Sequence, residues 1–206
     1  GGTQSAEVGE GGADLPEFDD TVSAATASIA IDRRDRAVFS RTGYLFRLEG
    51  LHATEDLGSD VAYDKAAFRA TTLHSFRDHT VVVGVDGGSS FGTELPVYDQ
   101  FVAGGLNSLM GLSRGQLRGN YIALGHLGYR YRFSRMSPNL GDGIYLITQV
   151  DAGNAWMESD DVSTDDLDVG GGVALGADTV MGPFAAGVAK TTSGEDMIFT
   201  ALGTIF

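Results

Sequence analysis

The chain has 206 residues, of which 28 are acidic and 14 basic, giving a formal net charge of −14. This charge argues against a nucleic-acid partner, because binding to phosphates needs a basic surface. The length fits one domain or part of one, and the absence of cysteine excludes disulfides and thiolate metal sites. The sequence has no run of about 18 consecutive apolar residues, so it predicts no membrane-spanning helix. It does not exclude a transmembrane β-barrel, because the strands of such a barrel face lipid only at alternate positions.

Apolar residues alternate with small or polar ones along most of the chain, which predicts β-strands. In the clearest run, from Asn120 to Ser134, aromatic residues share one face with small ones, while His126 and Arg130 share the other. This run is longer than the ~5–6 residues typical of soluble strands, and its terminal aromatics suit a membrane interface. The predicted strands are 21–32, 43–54, 61–76, 79–91, 120–134, 143–156, 167–180, 183–191 and 196–206, with 1–8 as the end of another. We therefore predict an all-β antiparallel meander of about nine or ten transmembrane strands.

The connections between these strands alternate in charge. Segments 9–20, 54–60, 157–168 and 192–196 carry carboxylates and no Lys or Arg. The intervening segments hold most of the arginines, namely Arg33, Arg34, Arg36, Arg41, Arg77, Arg130, Arg132 and Arg135. Since alternate connections of a meander lie on the same side, the sequence predicts one acidic rim and one arginine-rich rim.

The long connection 92–119 is apolar and rich in glycine. Loops of more than about 15 residues are usually functional or disordered, and this composition argues against disorder. We expect the connection to fold into the barrel, with Gly104, Gly105 and Gly111 allowing tight turns.

Gly111-Leu112-Ser113-Arg114-Gly115 matches the Gly-x-Ser-x-Gly motif of serine hydrolases. That motif needs a strand before the serine and a helix after it, and neither flank fits. We therefore predict no catalytic residue, although a soluble serine esterase using Ser113 stays as an alternative. The four histidines lack metal-ligand spacing, and segment 158–168 lacks the spacing of a calcium loop. The sequence thus predicts neither a metal site nor a cofactor.

Three groups of residues together resemble the BamA/TamA superfamily of outer-membrane barrels, of the bacterial surface antigen type. Phe101 to Leu112 resembles the inward-folded sixth extracellular loop of that superfamily, Ile31 to Gly43 its periplasmic turn, and Asp151 to Phe206 its last strands. The resemblance implies the following site residues: Gly104, Gly105, Ser108, Met110, Gly111, Leu112 and Arg114 in a lumen loop; Asp32, Arg34, Asp35 and Gly43 in a periplasmic turn; and Leu202 and Phe206 in a C-terminal assembly signal.

The resemblance also implies a place within a larger barrel. Superfamily barrels have sixteen strands with this loop between the eleventh and twelfth, so residues 1–206 correspond to the C-terminal part, from about the eighth strand. The acidic rim then faces the cell exterior and the arginine rim the periplasm. The implied location is the bacterial outer membrane, and the implied partners are its lipid and lipopolysaccharide, the barrel-assembly machinery and an N-terminal passenger or POTRA domain of the same chain. The oligomeric state stays open.

One departure from the family pattern concerns the loop. The assembly-factor branch carries Val-Arg-Gly-Phe where this chain has Leu109-Met110-Gly111-Leu112, and methionine cannot make the charge-assisted bond of that arginine to the barrel wall. This variant looks more like the barrels of patatin-like type V secretion proteins, whose lipase and single POTRA domain precede the barrel. The resemblance therefore implies a barrel that anchors, and helps to translocate, a patatin-like phospholipase passenger encoded upstream. A BamA/TamA-like assembly or insertion factor is the alternative.

Overall fold

The computed structural model describes residues 2–3, 21–106, 108–137 and 139–203. Its strands are β1 (Gly2–Thr3), β2 (Thr21–Val22), β3 (Ala24–Asp32), β4 (Gly43–Ala53), β5 (Tyr63–Phe76), β6 (His79–Ser89), β7 (Phe101–Ala103), β8 (Leu117–Gly119), β9 (Tyr121–Arg135), β10 (Gly141–Trp156), β11 (Asp168–Thr179), β12 (Gly182–Thr191) and β13 (Asp196–Leu202). Short 3-10 turns occupy Glu55–Leu57 and Ser159–Asp161. Within these ranges, none of the helical segments has the length and apolar character needed to span a membrane.

Nine strands form one sheet in the order β13-β12-β11-β10-β9-β6-β5-β4-β3, and every neighbouring pair is antiparallel. The predicted all-β meander is therefore confirmed, and the predicted strand limits differ from the observed ones by only a few residues. Two small two-stranded sheets, β1 with β2 and β7 with β8, are separate from this sheet. Of the predicted strands, residues 1, 4–8 and 204–206, including Phe206, lie outside the described ranges, and so does the predicted acidic segment 9–20.

The alternation along β9 separates two faces of the sheet, as predicted. Leu127, Tyr129, Tyr131 and Phe133 are exposed, whereas the residues between them, such as Arg130, are buried. We call the exposed side the outer face and the side covered by residues 90–120 the inner face. Neighbouring strands place further apolar residues on the outer face, including Ile29, Ile31, Tyr44, Leu48, Phe68, Val81, Val83, Val85, Val150, Val173, Leu175, Phe184, Val188 and Ile198.

The buried core lies between the inner face and the segments that cover it. One cluster joins Phe39, from the β3–β4 connection, and Met110, from the long connection, to residues of β10 to β13. A second cluster packs Leu109 and Leu112 on Leu124 of β9. The core thus consists of connecting segments packed on a sheet, not of two sheets packed on each other.

The meander places connections 33–42, 77–78, 136–140 and 180–181 on one side of the sheet, the arginine rim. Arg130, Arg132 and Arg135, predicted in these connections, instead lie within β9. Carboxylates compensate the charge of this rim: Arg132 contacts Asp78 at 2.7 Å and Asp142 at 3.1 Å. The arginine rim is therefore a network of ion pairs.

Candidate functional site

The long connection between β6 and β9 covers the inner face. After β7, its tip turns back at Gly104 and Gly111, whose φ angles of +116° and +94° favour glycine. The side chains of Leu109 and Met110, which precede the second turn, and of Leu112, which follows it, are at most 1% exposed. The described part of the loop tip, residues 104–106 and 108–116, is therefore packed against the sheet.

The loop tip is bonded to the sheet at Asp151 of β10. The main-chain N–H of Met110 donates to Oδ2 of Asp151 at 3.0 Å, and this carboxylate is fully buried. Gln149 donates from Nε2 to Oδ1 of Asp151 at 2.8 Å, and Nδ1 of His126 lies 3.0 Å from the same oxygen. Because a buried carboxylate is costly without partners, these bonds fix both the carboxylate and the loop.

A second carboxylate lies on the other side of the His126 ring. Nε2 of His126 is 3.5 Å from Oδ2 of Asp86 on β6, and Arg69 of β5 reaches the same oxygen at 2.6 Å. An imidazole with a carboxylate at each nitrogen can donate to both only as the imidazolium. The wall cluster Arg69, Asp86, His126 and Asp151 is therefore a row of alternating charges across four strands.

Glycines on β11 allow the loop tip to approach the sheet. A Cβ at Gly170 would overlap the carbonyl oxygen of Met110, and a Cβ at Gly172 would lie 2.8 Å from Sδ of Met110. On the loop side, a Cβ at Gly111 would lie 2.7 Å from Cγ2 of Thr191. The methionine side chain thus occupies a shallow channel that larger residues would close.

The predicted periplasmic-turn residues close the β3–β4 connection. Asp32 accepts hydrogen bonds from Nε and Nη2 of Arg34 at 2.9 and 2.6 Å. Asp35 accepts the main-chain N–H groups of Arg41 and Thr42. Burial would raise the pKa of Asp35, but these N–H bonds outweigh it and hold the pKa below its ordinary value. Side-chain hydrogen bonds therefore close the turn on itself.

The same connection sends Phe39 to the inner face. Phe39 is 3% exposed and stacks on Tyr145 with ring centroids 4.6 Å apart. It shares a core cluster with Met110. The structure therefore brings the turn and the loop tip, two of the predicted site groups, to one cluster.

Other predicted site residues lie apart from this cluster. Gly105 donates its N–H to the carbonyl of Leu112 at 3.0 Å, and Ser108 Oγ accepts the N–H of Gly104 at 3.3 Å, so both close the loop tip. Arg114 is exposed. Leu202 is an exposed residue of β13 at the edge of the sheet.

The wall cluster was not predicted as a site, although its signal is present in the sequence. Asp86, His126 and Asp151 each stand at an inner-face position in the middle of an alternating strand. A charged residue in the middle of a predicted transmembrane strand costs free energy unless it is paired. That cost points to partners, but the sequence alone does not identify them.

Comparison with known proteins identifies the family. The Omp85 superfamily domain matches residues 6–198. The chain belongs to the Omp85 superfamily. Among solved structures, BamA from Haemophilus ducreyi lacking POTRA domains 1–3 is similar with a TM-score of 0.72 and 18% identity, over 90% of this chain and 42% of that chain. The chain thus spans less than half the length of that BamA structure, and no curated protein sequence matches it.

Omp85 barrels reside in the bacterial outer membrane, so this chain is an outer-membrane β-barrel and its apolar outer face contacts lipid. The Omp85 domain is typically not catalytic. Ser113 is exposed on the loop tip, and β8, not a helix, follows it. Among the residues that the structure describes, no three His, Asp or Glu side chains are placed to hold a metal ion.

Proposed function

We propose that this Omp85 barrel anchors an N-terminal patatin-like phospholipase passenger in the outer membrane and takes part in its translocation. The observation that carries the proposal is the loop tip. By the resemblance drawn from the sequence, Met110 corresponds to the arginine of assembly factors, and its side chain packs among apolar residues. Only its main-chain N–H reaches the wall carboxylate Asp151.

The charge balance of the wall supports the same proposal. His126 stands beside Asp151 and Arg69 beside Asp86, so the wall supplies its own cations. The loop contributes apolar packing and one main-chain bond there. Such a loop suits a fixed support inside the barrel. An anchoring barrel needs a support of this kind to keep the shape of its wall.

We also propose how the chain lies in the membrane. Residues 1–206 form one barrel domain that contributes about the eighth to sixteenth strands of a sixteen-stranded wall. The acidic rim faces the lipopolysaccharide outside, and the arginine rim faces the periplasm. The barrel-assembly machinery recognises the C-terminal signal, which includes Leu202 and Phe206.

The test is made on the full-length protein in intact cells. We expect the region upstream of Gly1 to contain a Gly-x-Ser-x-Gly elbow, an Asp-Gly-Gly or Asp-Gly-Ala motif and one POTRA domain. A fluorophosphonate should label the upstream serine, and Ser113→Ala should leave that labelling unchanged. Labelling that depends on Ser113, or several POTRA domains with no lipase, would contradict the proposal.

A BamA/TamA-like assembly or insertion factor is the second candidate. The fold shared with BamA over 90% of the chain favours it. Depletion of the full-length protein separates the two candidates. An assembly factor predicts a general fall in folded outer-membrane proteins, whereas an anchor predicts loss of the passenger alone.

A further inference from the structure

A cavity of about 240 Å³ lies on the inner face, between the loop tip and strands β4, β5, β6, β9 and β10. Three arginines line it, Arg34, Arg69 and Arg130, together with one acidic residue, Asp86. This concentration of positive charge stands out in a chain with a net charge of −14. The lining alone therefore favours an anion.

Arg130 is the cavity cation that forms no salt bridge with a carboxylate of the described residues, and its guanidinium lies over the Phe39 ring, 5.9 Å from the ring centroid. Arg34 pairs with Asp32 and Arg69 with Asp86, each at 2.6 Å. Arg130 is 3% exposed and donates from Nη2 to the carbonyl of Ser40 at 2.9 Å. Its Nε and Nη1 have no acceptor among the described residues. Because a buried charge without a counter-ion is strongly unfavourable, this guanidinium favours the binding of an anion.

The rest of the lining is mixed. Leu45, Val82 and Ile147 of the sheet and Leu106 of the loop tip supply apolar surface. His126, Thr71, Thr148 and Gln149 add polar groups, and Ile147 stands directly opposite Arg130 on the neighbouring strand. A ligand that fits such a lining has one charged end and one apolar end.

We propose that this cavity binds a small amphiphilic anion, with its carboxylate or phosphate head at Arg130 and a short apolar body against Leu106 and Ile147. Guanidinium groups form strong, oriented hydrogen bonds with these oxyanions. The head group takes up N–H donors of Arg130 after a small movement of the side chain. This binding site is separate from the proposed anchoring role and does not depend on it.

The experiment titrates the full-length protein in detergent with hexanoate, hexyl phosphate and inorganic phosphate, using calorimetry. Saturable binding of hexanoate identifies a carboxylate ligand, and binding of hexyl phosphate identifies a lipid-like phosphate ester. Arg130→Gln should weaken the binding at least about ten-fold, since a charge-assisted hydrogen bond to the anion is lost. Arg135→Gln is the matched control on the same strand, because Arg135 is exposed and pairs with Asp78. It should bind like the wild type.

A second variant keeps the proposal testable if Arg130→Gln does not fold. A Cβ at Gly84 meets no atom closer than 3.4 Å, and Gly84 lines the cavity. Gly84→Leu should therefore fold, fill the cavity and abolish binding of both organic anions. The proposal is overturned if the wild type binds none of the probes, if inorganic phosphate alone binds, or if the variants bind as tightly as the wild type.

Discussion

Nδ1 of His126 lies 3.0 Å from Oδ1 of Asp151, and the two residues stand directly opposite each other on β9 and β10. The other carboxylate oxygen of Asp151 accepts the N–H of Met110. One buried carboxylate therefore joins two strands of the wall to the loop tip. The stability of the loop is thereby coupled to a charge carried by the wall.

Replacing His126 by glutamine removes the cation between Asp86 and Asp151. We expect the free energy of unfolding to fall by about 3 kcal/mol, because the buried carboxylate of Asp151 loses its cation and the partly buried Asp86 keeps only Arg69. Urea unfolding of the full-length protein in detergent, followed by heat-modifiable migration on gels, measures this change. His52→Gln is the matched control, since His52 pairs with Asp64 at 2.6 Å where both side chains are largely exposed, at the strand ends beside the acidic connection 54–62. That variant should lose less than about 1 kcal/mol, and equal losses would contradict the role of burial.

Gly111→Val should lower the yield of folded barrel. The variant combines a positive φ with a Cβ only 2.7 Å from Cγ2 of Thr191 and 2.9 Å from the carbonyl carbon of Lys190. Gly194→Val is the control, because Gly194 has a similar φ of +92° and no atom within 4 Å of a Cβ. We expect the control to lose only the conformational cost of about 1–2 kcal/mol. If both variants gave the same yield, contact between the loop tip and β12 would be unimportant.

Phe39→Ala should destabilise the barrel by about 3 kcal/mol, since a buried aromatic ring is removed from beside Tyr145. Phe91→Ala is a close control: both phenylalanines have positive φ angles, 45° and 54°, but Phe91 is 68% exposed. The midpoint of urea unfolding measures both. A loss confined to Phe39→Ala supports the insertion of the turn into the core, and similar losses would argue against it.

Acid should weaken the arginine rim. Hydrogen bonds from Arg132 and then Arg135 hold the pKa of Asp78 below its ordinary value. Asp78 therefore stabilises the folded state above its unfolded pKa, near 4 by the reference scale, and this stabilisation is lost as pH falls through the lower folded pKa. Unfolding midpoints measured from pH 6 downward should fall less for Asp78→Asn than for the wild type. The unfolding midpoint of Asp161→Asn, a variant on the acidic rim, should fall with pH as that of the wild type does. If the midpoint of Asp78→Asn showed the same pH dependence as the wild type, Asp78 would have no role in the acid sensitivity of the arginine rim.

The sequence by itself determined the strands, the face on which each side chain lies, and the antiparallel meander that connects the strands. The outward position of Leu127, Tyr129 and Phe133 follows from the period of two that the pleat imposes on any strand, whatever its neighbours are. Turns at Gly104 and Gly111 were equally predictable, because few residues other than glycine accept a positive φ. These features depend on local backbone geometry and on alternation along one strand.

Only the tertiary structure decided which inner-face groups meet. Asp86, His126 and Asp151 come from three strands, and their pairing depends on the register between β6, β9 and β10. A shift of one residue would move each side chain to the other face, and no single strand encodes that register. The buried Arg130 and the inward Phe39 depend likewise on a turn and a loop that are distant in sequence. Contacts of this kind form only when the whole sheet is assembled, so their partners cannot be read from the chain one strand at a time.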